Sequence, residues 1–159
     1  MEQALSASAR RVQAALRQLG FKAQVIELPQ STRSAAEAAQ AIGCQVEQIV
    51  KTLVFRATTS DRAIVVAASG ANRVDEKRIS AWLGETIIKA DADFVRQRTG
   101  YVIGGVSPVG YDLPLLTIID QDLLQYEDVW AAAGTPHAVF KLSPYDLVRL
   151  TGGTVLRIC

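Results

Sequence analysis

The stretch that most constrains this chain is Thr99-Gly100-Tyr101-Val102-Ile103-Gly104-Gly105-Val106-Ser107-Pro108-Val109-Gly110, which packs four glycines and a proline into twelve residues. Its other members are mostly apolar, unlike the Ser, Asn and Asp of an ordinary surface loop. Glycine allows positive φ and close approach of another backbone or a ligand, whereas proline fixes φ and removes a donor. Such a run reads either as a shaped, partly buried loop that offers main-chain N–H groups to a ligand, or as a tight crossing between two strands.

At 159 residues, the chain is read as one domain spanning residues 1–159. With 49% hydrophobic and 21% charged residues its composition is that of a globular protein. Seventeen basic and sixteen acidic residues leave a net charge of +1. That balance argues against a protein that coats long duplex DNA or an anionic membrane, and leaves room for a partner held by one short end. No apolar run approaches a membrane span, and Met-Glu-Gln-Ala-Leu has no signal-peptide layout, so the expected location is the cytoplasm. Cys44 and Cys159 fit no zinc spacing, and His137 is the sole histidine, which argues against a His/Cys metal site.

Periodicity predicts helices over Ala9–Leu19, Ser34–Ile42, Asp75–Leu83, Asp91–Arg98 and Ser143–Leu150. Ser34 with Glu37 is a capping-box pattern, and Pro144 suits a first helical position. Strands are predicted over Ala23–Leu28, Ile49–Phe55, Arg62–Ser69, Thr86–Lys89, Leu115–Ile119, Val129–Ala133, His137–Leu142 and Thr154–Ile158, with a helical turn over Val46–Val50. The second and third strands read as a hairpin. Without a steady βαβ rhythm, the pattern favours an α+β fold around a largely antiparallel or mixed sheet.

Alternate residues of a strand share a face, so Lys51 stands in an apolar row with Ile49, Leu53 and Phe55. Either its ammonium snorkels from the strand end to water, or it is a cation held in a cleft for an anionic or carbonyl-bearing ligand. Ser107 does not make a nucleophile elbow: Val109 stands where G-x-S-x-G needs glycine, and Pro108 has no N–H for an oxyanion. Phosphate-loop and dinucleotide fingerprints are absent. His137 follows a Gly-Thr-Pro turn and reads as either a structural or a functional residue. Together, Lys51, the glycine-rich loop and His137 outline a metal-free site able to polarise an ester carbonyl and position a water.

Three segments carry a resemblance: Ser34-Ala-Ala-Glu-Ala-Ala, Gln48-Ile-Val-Lys51-Thr-Leu-Val-Phe55, and the Thr99–Gly110 run. With the closing Leu142-Ser-Pro-Tyr-Asp-Leu-Val-Arg-Leu150, the chain resembles the YbaK/prolyl-tRNA-editing family from about Leu19 to Leu150. The resemblance implies a mixed α+β fold, barrel-like and with a largely antiparallel sheet surrounded by helices. It also implies hydrolysis of the ester in a mischarged aminoacyl-tRNA, substrate-assisted and without metal or cofactor. On this likeness Lys51, Gly104 and Gly105 carry catalysis, with Lys51 contacting the terminal adenosine and its phosphate. Thr52, Val106, Ser107, Pro108 and His137 line the substrate site. Alanine-specific members have Asn after the lysine, where this chain has Thr52, which points away from alanine among Ala, Cys, Ser and Thr. The implied partners are the acceptor end of an aminoacyl-tRNA and, among proteins, prolyl-tRNA synthetase or an elongation factor. Arg73, Lys77, Arg78, Arg96 and Arg98 are candidates for a basic rim. The alternative is a non-catalytic module that binds a nucleotide or RNA end and docks on a synthetase; a metal-dependent hydrolase has little support in the residues.

Overall fold

A computed structural model describes residues 5–159. Met1–Ala4, part of the N-terminal stretch read above for a signal peptide, lie outside the described residues. In chain order the elements are α1 Ala7–Gln18, β1 Val25–Glu27, α2 Ala35–Ile42, β2 Ile49–Ala57, β3 Ala63–Ser69, α3 Glu76–Leu83, β4 Ile87–Lys89, α4 Ala92–Thr99, β5 Leu116–Asp120, β6 Val129–Ala132, β7 Ala138–Leu142, α5 Pro144–Thr151 and β8 Thr154–Leu156. Short 3-10 turns cover Val46–Gln48 and Gln121–Gln125. Each helix starts where a short polar side chain accepts a first-turn N–H: Ser6, Ser34, Asp75, Asp91 and Ser143.

The strands form one mixed sheet in the order β1-β7-β6-β2-β3-β5-β8, with β4 added on β2. Four pairings are antiparallel (β1/β7, β2/β3, β2/β4, β6/β7) and three parallel (β2/β6, β3/β5, β5/β8). The β2–β3 hairpin is present, in register from Val50↔Ser69 to Arg56↔Ala63. Every residue of β3 is buried, as its unbroken apolar run requires of a strand covered on both faces. One face carries Val50, Val54, Ala67 and Ile119 beneath α1, α4 and α5. The other carries Phe55, Ile64, Val66 and Ile118 beneath α3 and the C-terminal Ile158.

β7 starts one residue later than predicted, because the His137 N–H is taken by Thr135 Oγ1 (3.2 Å) inside the turn. The turn over Gln121–Gln125, unmarked by the sequence pattern, is set by Asp120, whose carboxylate accepts from Asp122 N–H.

One irregularity positions the site. On its edge away from β3, β2 pairs with β6 only at Ile49 and Val50, and with β4 only at Phe55–Ala57. Residues 51–54 have no strand partner on that side among the described residues. The Val54 carbonyl accepts from Ala90 N–H (3.3 Å), so by the two-residue period Thr52 also turns its N–H and C=O toward this gap.

Candidate active site

The gap opens into a cavity of about 560 Å³. Consecutive residues from both faces of β2, Lys51 and Thr52 among them, line it, because an interrupted edge lets one cavity reach both sides of the sheet.

Lys51 rises from the face shared with Leu53 and Phe55, and its ammonium donates to the Asn72 carbonyl at 2.6 Å. Burial pushes its pKa below the ordinary lysine value, nearby Arg73 pushes the same way, and Asp120 opposes them. Arg33, Arg73 and Lys89 also line the cavity, with Glu76 as the carboxylate among the lining residues. Four cations around one carboxylate make this an anion-attracting space. Elsewhere its walls are apolar, with small side chains such as Val106, Ala131 and Val139 beside the larger Leu53, Phe55, Ile103 and Trp130.

On the opposite face of β2, the Thr52 hydroxyl is buried without a hydrogen-bond partner among the described residues, and so is that of Thr32, a residue only 5% exposed. Both threonines line the cavity.

The glycine-rich loop forms a further wall. Gly104 has φ +92°, and a Cβ there would meet the Arg33 side chain at 2.6 Å. A Cβ on Gly105 would lie 2.8 Å from the Thr135 backbone, so the loop presses against the β6–β7 turn. Gly105 N–H is turned inward to the Val102 carbonyl (3.0 Å), whereas those of Gly104 and Val106 make no hydrogen bond among the described residues. Two tyrosines brace the loop. Tyr101 Oη donates to Val109 O (2.9 Å), and Tyr111 Oη donates to Ser107 O (2.7 Å). Burial raises both phenol pKa values, that of Tyr101 to about 12.

The structure thus brings Lys51, Thr52, Gly104 and Val106 into one cavity. Gly105, Ser107 and Pro108 are buried in the body of the loop and do not line it. Ser107 is wholly buried, and its hydroxyl accepts from Val109 N–H at 3.2 Å. It shapes the loop instead of facing the cavity. His137 is exposed and outside the lining; its Nδ1 donates to the Gln30 carbonyl (2.9 Å), since a carbonyl only accepts. Together with Thr32 N–H to Pro136 O (2.6 Å), that bond pins the 30–32 turn to the 135–137 turn. Of the basic rim candidates only Arg73 lines the cavity; Arg98 pairs with Asp61, and Lys77 and Arg78 border a separate shallow groove. Sequence reasoning misses Thr32, Arg33 and Lys89 as site residues. The first two lie in a turn that sequence reads only as a turn, and Lys89 on a strand too short to show a face.

Known proteins point the same way. Residues 29–150 match the sequence model described as "Aminoacyl-tRNA editing domain". A crystal structure of a proposed trans-editing enzyme for prolyl-tRNA synthetase superposes with a TM-score of 0.92 at 48% identity, over 98% of each chain. The Bacillus subtilis protein YwhH is 29% identical over 123 residues, 77% of this chain and 78% of its own. EbsC of Enterococcus faecalis, provisionally named a Cys-tRNA(Pro)/Cys-tRNA(Cys) deacylase, is 27% identical over 128 residues, 79% of this chain and 76% of its own. With the match running through the lysine strand, the glycine-rich loop and the closing helix, the chain belongs to the aminoacyl-tRNA editing domain family.

Proposed function

We propose that this protein is a trans-editing deacylase that hydrolyses the ester of a tRNA mischarged with a small amino acid. The observation that carries this reading is the cavity itself, which brings together a half-buried Lys51 with further cations, apolar walls and a main-chain loop braced by tyrosine. The cations suit the terminal phosphate and the apolar walls a small side chain. A single-stranded acceptor end needs few phosphate contacts, which fits the near-neutral net charge.

In this reading Lys51 and Arg73 hold the terminal nucleotide. The N–H groups of Gly104 and Val106 face the aminoacyl carbonyl and stabilise the oxyanion as water adds to its carbon. The carbon–oxygen bond to the ribose then breaks, which releases the amino acid and returns the hydroxyl to the tRNA. Ser107, buried in its loop, is no nucleophile, and His137 stands outside the cavity; activation of water is assigned to the substrate's ribose 2′-hydroxyl, as the family resemblance implies. Prolyl-tRNA synthetase is the fitting protein partner, since a structure of 48% identity is described as editing in trans for it.

The test is deacylation of tRNAs charged with Cys, Ala, Ser and Thr. Wild type is expected to clear at least one, and Lys51→Ala to lower kcat/KM by about 10²–10³-fold with its cooperative thermal melt retained. Tight binding of an acceptor-stem mimic with every charged tRNA left intact would instead identify a binding module.

A further inference from the structure

Lys51 has a flexible side chain, yet its ammonium is fixed, and the group that fixes it is itself elaborately held. Asn72, whose carbonyl accepts from Lys51, sits in the turn that follows β3, where its N–H donates to Ser69 O at 2.9 Å. Its side-chain amide lies between two carboxylates, donating to Asp120 Oδ2 at 2.9 Å and to Asp122 Oδ2 at 2.8 Å. Asp120 is only 1% exposed and also accepts from Ser69 N–H and Asp122 N–H, both at 2.9 Å. The other flank of the turn is tied down by Ser69 Oγ, which donates to Glu47 O at 2.7 Å. A buried carboxylate is costly unless its oxygens are satisfied. Here one oxygen, Oδ2, holds the turn that carries the Lys51 acceptor through Ser69 N–H and the Asn72 amide, while Oδ1 caps the Gln121–Gln125 turn.

We propose that Asn72, clamped by Asp120 and Asp122, is the positioning residue for Lys51, holding its ammonium by one N–H so that the other two meet the anionic part of the substrate. This rests on the reading of Lys51 as the cation of the deacylase site. The cluster joins the ends of two adjacent parallel strands, β3 and β5, to the lysine of β2, so the cation is set by the sheet and not by its own rotamers. Asp120 also supplies the charge that opposes Arg73 at the ammonium; Arg33, Lys89 and Glu76 line the same cavity, and Asp122 holds the other side of the Asn72 amide.

The test combines a double-mutant cycle with a titration. Asn72→Ala keeps the main-chain carbonyl but removes the amide that Asp120 and Asp122 hold, and the released turn is expected to lower kcat/KM for the mischarged tRNA about ten-fold. In a Lys51→Ala background the same change is expected to cost less than about two-fold, because coupled residues are not additive. The chain has five lysines, so the 13Cε resonance of Lys51 can be followed, assigned by its loss in Lys51→Ala. In Asp120→Asn and in Asn72→Ala its titration midpoint is expected at lower pH than in wild type. Losses that multiply in the double variant, or a Lys51 midpoint unmoved in both single variants, would overturn the proposal. Should Asp120→Asn fail to fold, the Asn72→Ala measurements decide. If wild type clears no charged tRNA, the deacylase reading falls, while the Lys51 midpoint still decides whether the clamp acts on the lysine.

Discussion

Thr52 shows what a single atom can reveal. Its hydroxyl is buried in the cavity wall without a partner among the described residues, as is that of Thr32. An unsatisfied buried hydroxyl costs about 1–3 kcal/mol, and an apolar side chain of the same shape does not incur that cost. Thr52→Val is therefore expected to raise stability by about 1 kcal/mol, seen as a higher urea midpoint with unchanged slope. A rise in KM of the same variant for mischarged tRNA would show that the hydroxyl meets the substrate. Lys51 is legible in sequence because a lysine in an apolar strand row has to be explained. Thr32 is not, since a threonine in a polar turn looks the same whether its hydroxyl meets water or a cavity. Sequence places His137 one residue beyond the turn it belongs to, and which way it faces depends on the Gln30 carbonyl, more than a hundred positions away in sequence.

At the scale of elements, the stretch from Thr99 to Gly110 reads in sequence as either a shaped, partly buried loop or a strand crossing, and it is a largely buried loop that leaves α4 at Thr99. Its main-chain conformation follows from glycine and proline, while its bracing comes from Tyr101 and Tyr111, aromatic residues whose partners sequence does not announce. Gly105→Ala would drive a methyl into the Thr135 backbone and is expected to cost about 1–3 kcal/mol and to depress deacylation, measured by thermal melt and by kcat/KM. Helices are the most legible elements, because Ser34, Asp75, Asp91 and Ser143 mark their starts locally; α1 begins two residues before the predicted Ala9, behind the Ser6 cap. Strand partners are far less so. The parallel pairings of β2 with β6 and of β3 with β5 join segments dozens of residues apart, and no local pattern encodes which edges meet.

For the whole molecule, pH dependence links the loop to global stability. The ordinary tyrosine pKa is about 10, and burial raises that of Tyr101 to about 12. The folded state therefore holds its phenol proton through a range in which the unfolded chain has lost it. Its contribution is complete below about pH 10 and is lost as pH rises through about 12. Tyr101→Phe is expected to be less stable than wild type by about 1 kcal/mol near neutral pH. That difference should close across the alkaline window in chemical denaturation.

The interrupted edge of β2 has a consequence for motion. Residues 51–54 are bonded on the β3 side but have no strand partner on the other among the described residues, inside a sheet whose centre is otherwise buried. A substrate seated there would stand where a strand is missing and tie β6 to β4. The Thr52 amide, turned to that gap, should then exchange its hydrogen readily in the free protein and slowly when the acceptor end is bound, while amides of β3 stay protected in both. Substrate would thus complete the sheet, and the fold would be at its most rigid only while the ester is held.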